Sequence, residues 1–200
     1  AYDFFAKAAK LSGSRNAEFN AGWVAEALGN LPAATTHYRA AHTKDAAYEP
    51  ALFSLIRVLD RQNKAAEVVE LLAKVLADRP EDLGVRAEYM EALVGAERFD
   101  EAVAEGQDIL RKDASNDAVY RNLSSLYLKK GQIEMARITG DKALELNDKD
   151  ANTYNNLGVV FLKNGDVPSA IEKFETARKL DASHFEANVN LGFLALDAGD

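Results

Sequence analysis

Toward the C-terminal end of the sequence, apolar residues fall on two stripes of helical spacing. Tyr154, Leu157 and Phe161 lie three or four residues apart, which places them on one face of a helix. A second stripe of the same kind follows after Gly165 and Asp166, a pair typical of a turn. The pattern predicts two amphipathic helices in sequence, and no useful length of chain alternates with the period of two that favours a sheet.

The same pattern returns every 34 residues along the chain. Leu123, Leu157 and Leu191 share one column, and Gly131, Gly165 and Gly199 share another. Five full units are predicted, at 15–48, 49–82, 83–116, 117–150 and 151–184. We expect the second helix of a partial unit at 1–14 and the first helix of another at 185–200, about twelve helices in one array 1–200 that is a piece of a longer one. A unit of this length is too small to bury a core alone, so stacking must stabilise it.

The units resemble the tetratricopeptide repeat family, whose pattern includes Leu at position 7, small residues at 8, 20 and 27, Gly at 15 and an aromatic ring at 24. In the unit from Ala151 these positions hold Leu157, Gly158, Ala170, Ala177, Gly165 and Phe174. Three units in the middle of the chain depart from it: the unit from Glu49 has Ile56, Val68 and Val75 where small residues are expected, and the next two have Gly106 and Gly140 where the ring is expected. The resemblance implies an all-α solenoid, a right-handed superhelix of antiparallel helices in which the small residues allow close packing and first helices line a concave groove.

The amino-acid composition restricts the partners and activities that are expected of this protein. The formal net charge of −8 argues against nucleic acid as the main partner, because phosphate contacts need clustered Lys and Arg. The sequence contains no cysteine and no apolar run long enough for a membrane span, and it leaves bacterial cytoplasm and cell envelope both open as compartments. We also expect no metal, cofactor or catalytic site, since the three histidines are not spaced as ligands and no phosphate-binding loop or catalytic set is present. These observations favour a protein without enzymatic activity.

Helix geometry identifies a surface for a protein or peptide partner. Positions 2, 5, 6, 9, 12 and 13 of each first helix lie opposite the packed stripe, and by resemblance this arc faces the groove. The arc is zoned, with an aromatic and basic start, an acidic middle at Glu88 and Glu91, and an amide-rich, basic end. The predicted binding residues are Phe19, Asn20, Trp23, Phe53, Arg57, Arg61, Arg121, Asn122, Asn155, Asn156, Lys163 and Asn190.

Two parts of this surface carry separate hypotheses. Phe19, Trp23 and Phe53 with Arg57 have the composition of an interface hot spot, although Trp23 could instead cover the preceding helix. Position 6 holds an asparagine row whose amides could pair with a peptide main chain, although Asn could simply be solvated there. The row consists of Asn20, Asn122, Asn156 and Asn190.

A subset of the family holds the carboxy-terminal carboxylate of chaperones with Lys, Asn and Arg at set groove positions. Phe19 and Phe53 stand here where the first Lys of that clamp would be, so the clamp is not expected. The sequence therefore predicts a protein-binding scaffold, part of a larger assembly that the style of the repeats suggests is bacterial. The alternative is a structural spacer or rod that associates end to end through exposed apolar residues such as Phe4 and Leu191.

Overall fold

The structure, a computed structural model, describes residues 2–198, and every secondary-structure element in that range is an α-helix. The twelve helices are α1 (Tyr2–Ser12), α2 (Arg15–Ala27), α3 (Leu31–Lys44), α4 (Glu49–Asp60), α5 (Ala65–Asp78), α6 (Leu83–Gly95), α7 (Phe99–Lys112), α8 (Asp117–Lys129), α9 (Ile133–Leu146), α10 (Ala151–Lys163), α11 (Val167–Leu180) and α12 (Phe185–Ala198). The all-α prediction is confirmed. The Gly199 column position lies outside the described residues.

Each first helix begins where a 34-residue unit begins, and in four of the five full units the side chain before it caps the helix, whereas Tyr48 before α4 makes no such hydrogen bond. Ser14, Asp82 and Asn116 each accept a hydrogen bond from the backbone N–H three residues later, at 3.1 to 3.2 Å. Asp150 accepts one from the N–H of Asn152 at 3.1 Å. These side chains satisfy N–H groups that have no partner inside the helix, which fixes where the helix starts.

The turn between the two helices of each unit depends on one residue in the left-handed conformation. Gly29, Gly131 and Gly165 have φ values of 75°, 70° and 82°, and the same column holds Asn63 at 56° and Glu97 at 58°. Glycine adopts this conformation without steric cost, whereas a residue with a Cβ atom does not. The glycine column is therefore a turn requirement that two of the five units meet with a strained residue.

A second glycine column lets the two helices of a unit approach each other. A Cβ atom built on Gly158 would lie 2.5 Å from the Phe174 ring, and one on Gly22 would lie 2.7 Å from Tyr38. At Gly140, where the family pattern expects a ring, a Cβ atom would lie 2.7 Å from Leu157. The small and large positions are thus complementary, and the expected close packing is confirmed.

The described residues divide into two compact units, with the boundary between Ala96 and Glu97. In unit 1 consecutive helices from α1 to α6 pack on each other around Tyr38, Leu52 and Leu72. In unit 2 the same holds from α7 to α12, around Leu123 and Phe174. None of the described helices combines the length and apolar character that a membrane crossing requires.

Candidate functional site

The first helices α2 and α4 of unit 1 expose large aromatic side chains. Trp23 is 62% exposed and Phe53 is 38% exposed. Phe19, one turn before Trp23, is half-buried because its ring packs against Tyr38 and Tyr48 with centroid distances of 5.4 Å in each case. Phe19 therefore stabilises the fold of this region, whereas Trp23 presents its surface to solvent.

A single carboxylate organises the two arginines that were predicted on this surface. Glu26 on α2 accepts hydrogen bonds from Arg57 Nε at 3.0 Å and Arg57 Nη2 at 2.8 Å. It also accepts one from Arg61 Nη1 at 3.0 Å and one from the Tyr38 hydroxyl at 2.9 Å. The Glu26 side chain is only 12% exposed, while the side chains of Arg57 and Arg61 are 55% and 49% exposed. We call Trp23, Phe53, Arg57 and Arg61 the aromatic–arginine face.

The electrostatics of this group follow from those contacts. The hydrogen bond from Arg57 is the main cause that holds the pKa of Glu26 below its usual range, so the carboxylate is ionised at neutral pH. Burial, together with the hydrogen bond to Glu26, raises the pKa of Tyr38 to about 12. One negative and two positive charges leave this group with a net charge of +1.

Farther along unit 1, the charged side chains on the predicted arc are acidic instead of basic. Asp60 on α4 and Glu88 and Glu91 on α6 line a small cavity of about 170 Å³ together with apolar residues such as Ile56 and Val68. Burial is the main cause that raises the pKa of both Asp60 and Glu88, and the nearby carboxylate of Glu91 adds to it. Three carboxyl groups thus line this cavity.

In unit 2, two of the predicted residues bond to each other and a third bonds to the residue that caps a helix. Arg121 Nη1 donates to Asp150 at 3.1 Å, so this arginine holds the residue that caps α10. Asn190 Nδ2 donates to Asn155 Oδ1 at 3.1 Å, and Asn155 is 8% exposed. Asn156 is half-buried and Lys163 is exposed.

The expectation that the whole arc is free of packing is wrong at two positions. Asn155 is buried where it accepts its hydrogen bond from Asn190, and Ser54 is buried within α4. In unit 1, Asn20 is exposed; in unit 2, Asn122 is half-buried. Trp23 does not cover a neighbouring helix, since most of its surface is exposed.

The sequence reasoning missed Glu26 and Asp60. Both occupy position 12 of a first helix, which lies within the predicted arc. A signal was present in the sequence, because an acidic residue at position 12 of one repeat is followed by basic residues at positions 9 and 13 of the next repeat. This pattern could have identified Glu26 as the partner of those basic residues.

Two of the three histidines make structural contacts. His37 Nδ1 lies 2.8 Å from Glu18 Oε2, and His184 Nδ1 accepts a hydrogen bond from the N–H of Ala187 at 3.3 Å at the start of α12. Within residues 2–198, no group of three or more His, Cys, Asp or Glu side chains is arranged to hold a metal ion.

Two family models, both described as tetratricopeptide repeat, match this chain at residues 91–151 and 139–172. A curated relative, the TPR repeat-containing thioredoxin TTL4 of Arabidopsis thaliana, is 34% identical over 80 residues. That match spans 40% of this chain and only 12% of the relative.

Solved structures with the same fold cover most of the chain. The protein TTC0263 of Thermus thermophilus, a thermophilic TPR protein, superimposes with a TM-score of 0.71 at 20% identity, over 92% of this chain and all of that one. A tetratricopeptide repeat protein from Parabacteroides merdae superimposes with a TM-score of 0.74 at 16% identity, over 94% of this chain and 74% of that one. YrrB, described as a TPR protein with an unusual peptide-binding site, gives 0.63 at 17% identity over 96% of this chain and all of that one.

Proposed function

Since this chain belongs to the tetratricopeptide repeat family, we propose that it is a protein-interaction scaffold rather than an enzyme. It binds a partner segment on the groove side of its first helices and works within a larger, bacterial multiprotein assembly. The fold of this family generally mediates protein–protein interaction, and repeats of this kind are generally non-catalytic. One of the similar structures carries a peptide-binding site by its own description.

The observation that carries the proposal is the exposure of Trp23 beside Phe53. A tryptophan that is 62% exposed contributes little to packing in the free protein. The neighbouring Phe19 already supplies the aromatic packing against Tyr38 and Tyr48. Aromatic side chains flanked by arginine are the usual composition of an interface hot spot, where their burial supplies much of the binding free energy.

The test compares two exposed apolar positions by quantitative pull-down. Proteins retained by the wild-type chain should be lost by Trp23→Ala/Phe53→Ala and kept by a matched control, Ile138→Ala, whose residue on the second helix α9 is 49% exposed. Circular dichroism verifies that all three proteins are folded. Retention of the same partners by the double variant would show that the aromatic–arginine face does not bind them.

The asparagine row of unit 2 supports the same function with a different chemistry. Asn122, Asn156 and Asn190 occupy equivalent positions on α8, α10 and α12, and an amide can pair with both the N–H and the C=O of a peptide main chain. Each such bond contributes only about 0.5–1.5 kcal/mol, so we expect the triple change to Ala to weaken partner binding by several kcal/mol in total while no single change abolishes it. Unchanged affinity in the folded triple variant would show that the asparagine row does not contribute to partner binding.

A second candidate function is favoured by apolar residues on the first and last described helices. Phe4 on α1 is 73% exposed, and Phe193 and Leu196 on α12 are 67% and 73% exposed. Contact between such surfaces on two copies would give a self-assembling rod. Sedimentation velocity across a range of concentrations discriminates the two functions, because a chain that remains monomeric at high concentration is not a rod.

A further inference from the structure

We propose that the aromatic–arginine face selects a partner segment in which a carboxylate side chain stands next to a bulky apolar one, and that Glu26 is the positioning residue for this selection. The inference rests on the proposed scaffold function and adds to it the chemistry of the ligand. The apolar side chain packs on Trp23 and Phe53, and the carboxylate binds Arg57 and Arg61.

The first step is geometric. Trp23 and Glu26 are three residues apart on α2, and Phe53 and Arg57 are four apart on α4, so each pair shares a helix face. The hydrogen bonds between Glu26 and Arg57, at 2.8 and 3.0 Å, bring the two faces together. An apolar contact surface and two cationic side chains therefore adjoin on one side of unit 1.

The second step concerns donors. A guanidinium group has five N–H donors. Glu26 engages Nε and Nη2 of Arg57 but only Nη1 of Arg61. Because both arginine side chains remain about half exposed, the rest of each guanidinium group faces solvent, where it can donate to a second carboxylate.

The third step explains the role of Glu26. Two neighbouring arginines without an anion would repel each other and sample several rotamers, and a ligand would have to order them. Glu26 is ionised and nearly buried, so it fixes both guanidinium groups before any ligand arrives. Pre-organisation of this kind improves affinity by lowering the entropy lost on binding.

Charge complementarity determines which kind of partner segment the aromatic–arginine face binds. Together with Glu26 the face carries a net charge of +1, whereas the carboxyl groups of Asp60, Glu88 and Glu91 line the adjoining cavity. A partner segment with a single acidic side chain beside its apolar anchor fits this arrangement, and a uniformly acidic segment does not. The recognised group is a side-chain carboxylate.

The experiment uses the emission of Trp23, which reports this face directly because it is the one tryptophan of the chain. The probes are two synthetic peptides blocked at both ends, one with an aspartate next to a leucine and one with asparagine in place of that aspartate. We expect saturable changes with the aspartate peptide and binding about tenfold weaker or more with the asparagine peptide, in line with the strength of charge-assisted hydrogen bonds. Added NaCl should reduce this difference.

The outcomes separate the inference from the function on which it rests. Equal binding of both peptides would overturn carboxylate selection and leave the scaffold function standing. Absence of any change with either peptide at millimolar concentration would overturn both for this face.

Glu26→Gln tests the positioning role, because the two explanations predict opposite signs. If only net charge mattered, removal of a negative charge would tighten binding of the aspartate peptide. If Glu26 positions the arginines, the same change weakens it, by about fivefold or more, as expected when one to two charge-assisted contacts lose their alignment. The matched control is Glu67→Gln, which removes a carboxylate that pairs with Arg39 at 2.8 Å between α3 and α5, and it should leave affinity unchanged.

A second variant protects the test from a folding defect. Arg61→Gln removes a half-exposed side chain and should fold normally by circular dichroism. Arg61→Gln should weaken binding of the aspartate peptide and leave binding of the asparagine peptide nearly unchanged. An equal loss for both peptides would contradict the proposed contact.

Discussion

Arg57 on α4 donates two hydrogen bonds to the Glu26 carboxylate on α2, at 3.0 and 2.8 Å, and so joins the first helices of two successive repeats. Repeat proteins gain stability from contacts between neighbours, because one unit cannot bury enough apolar surface by itself. The same carboxylate accepts the hydroxyl of the fully buried Tyr38 on the second helix α3. Glu26 is thus a polar junction of three helices inside unit 1.

Glu26→Ala is expected to destabilise the fold by about 1–3 kcal/mol, because it leaves the buried Tyr38 hydroxyl without its partner. Urea unfolding measures the change. In a Tyr38→Phe background, which lacks that hydroxyl, the cost should be clearly smaller. Equal costs in the two backgrounds would show that the hydroxyl does not depend on Glu26.

Phe19→Ala and Trp23→Ala should affect different properties although the two residues lie one turn apart on α2. Phe19 packs against two tyrosine rings and is half-buried, so its loss should cost on the order of 2 kcal/mol, less than the roughly 3–5 kcal/mol of a fully buried ring. Trp23→Ala should change the free energy of unfolding by no more than about 0.5 kcal/mol. A large fall in melting temperature for Trp23→Ala would assign this residue to the core.

These two aromatic residues also show how far the sequence could predict the site. The 34-residue period and the small-residue columns predicted the helices well, because capping and left-handed turn residues are local signals that recur at fixed positions. The arc of first-helix positions predicts an exposed side chain at Trp23, which the structure has, but it misses the packing of Phe19 against Tyr48 in the turn before the next repeat. Contacts between successive repeats depend on the length and direction of each side chain, and the period of a helix does not determine these.

The same limit applies to polar residues. The spacing of Arg57 and Arg61 predicts that they lie on the exposed arc of α4, but their pairing with Glu26 depends on the distance between α2 and α4. Asn155 was expected on the surface and is buried because Asn190 bonds to it from the next repeat. The two departures share a cause, since each involves a partner 31 or 35 residues away.

Gly158→Ala should destabilise unit 2, on the order of 1–3 kcal/mol, because the new Cβ atom would lie 2.5 Å from the Phe174 ring. Gly84 lies in the first turn of α6, where a Cβ atom would make an ordinary contact of 3.4 Å with Asp82 Oδ1. Gly84→Ala should therefore stabilise the helix by up to about 1 kcal/mol through helix propensity alone. Thermal unfolding of the two variants gives opposite signs if close packing, rather than a general need for glycine, explains the effect at Gly158.

Glu97→Gly is expected to stabilise the protein by about 1 kcal/mol. Glu97 has a φ of 58°, and the left-handed conformation costs a residue with a Cβ atom roughly 1–2 kcal/mol. The gain from Asn63→Gly should be smaller, because Asn tolerates this conformation better. Gly165→Ala, at φ 82°, is the reverse test and should destabilise by a similar amount in urea unfolding. A neutral Glu97→Gly would mean that the greater freedom of glycine in the unfolded chain offsets the relief of strain.

Glu88→Gln should stabilise unit 1 at neutral pH, and the advantage should disappear in acid. Burial and then the Glu91 and Asp60 carboxylates raise the pKa of Glu88 in the folded protein. A carboxyl group whose pKa is higher folded than unfolded destabilises the fold while it is ionised, and this penalty vanishes as pH falls through the folded pKa and below the unfolded one. The difference in free energy of unfolding between the variant and the wild type is therefore expected to favour Gln at neutral pH. This difference should shrink toward zero below pH 4.5, the ordinary pKa of a glutamate.

Glu101→Gln is the matched control, because a hydrogen bond from Arg98 lowers the pKa of that exposed carboxyl group and the sign of its pH dependence should be reversed. If Glu88→Gln proved equally stabilising at neutral pH and about one pH unit below the ordinary glutamate pKa, the raised pKa of Glu88 would not be the cause.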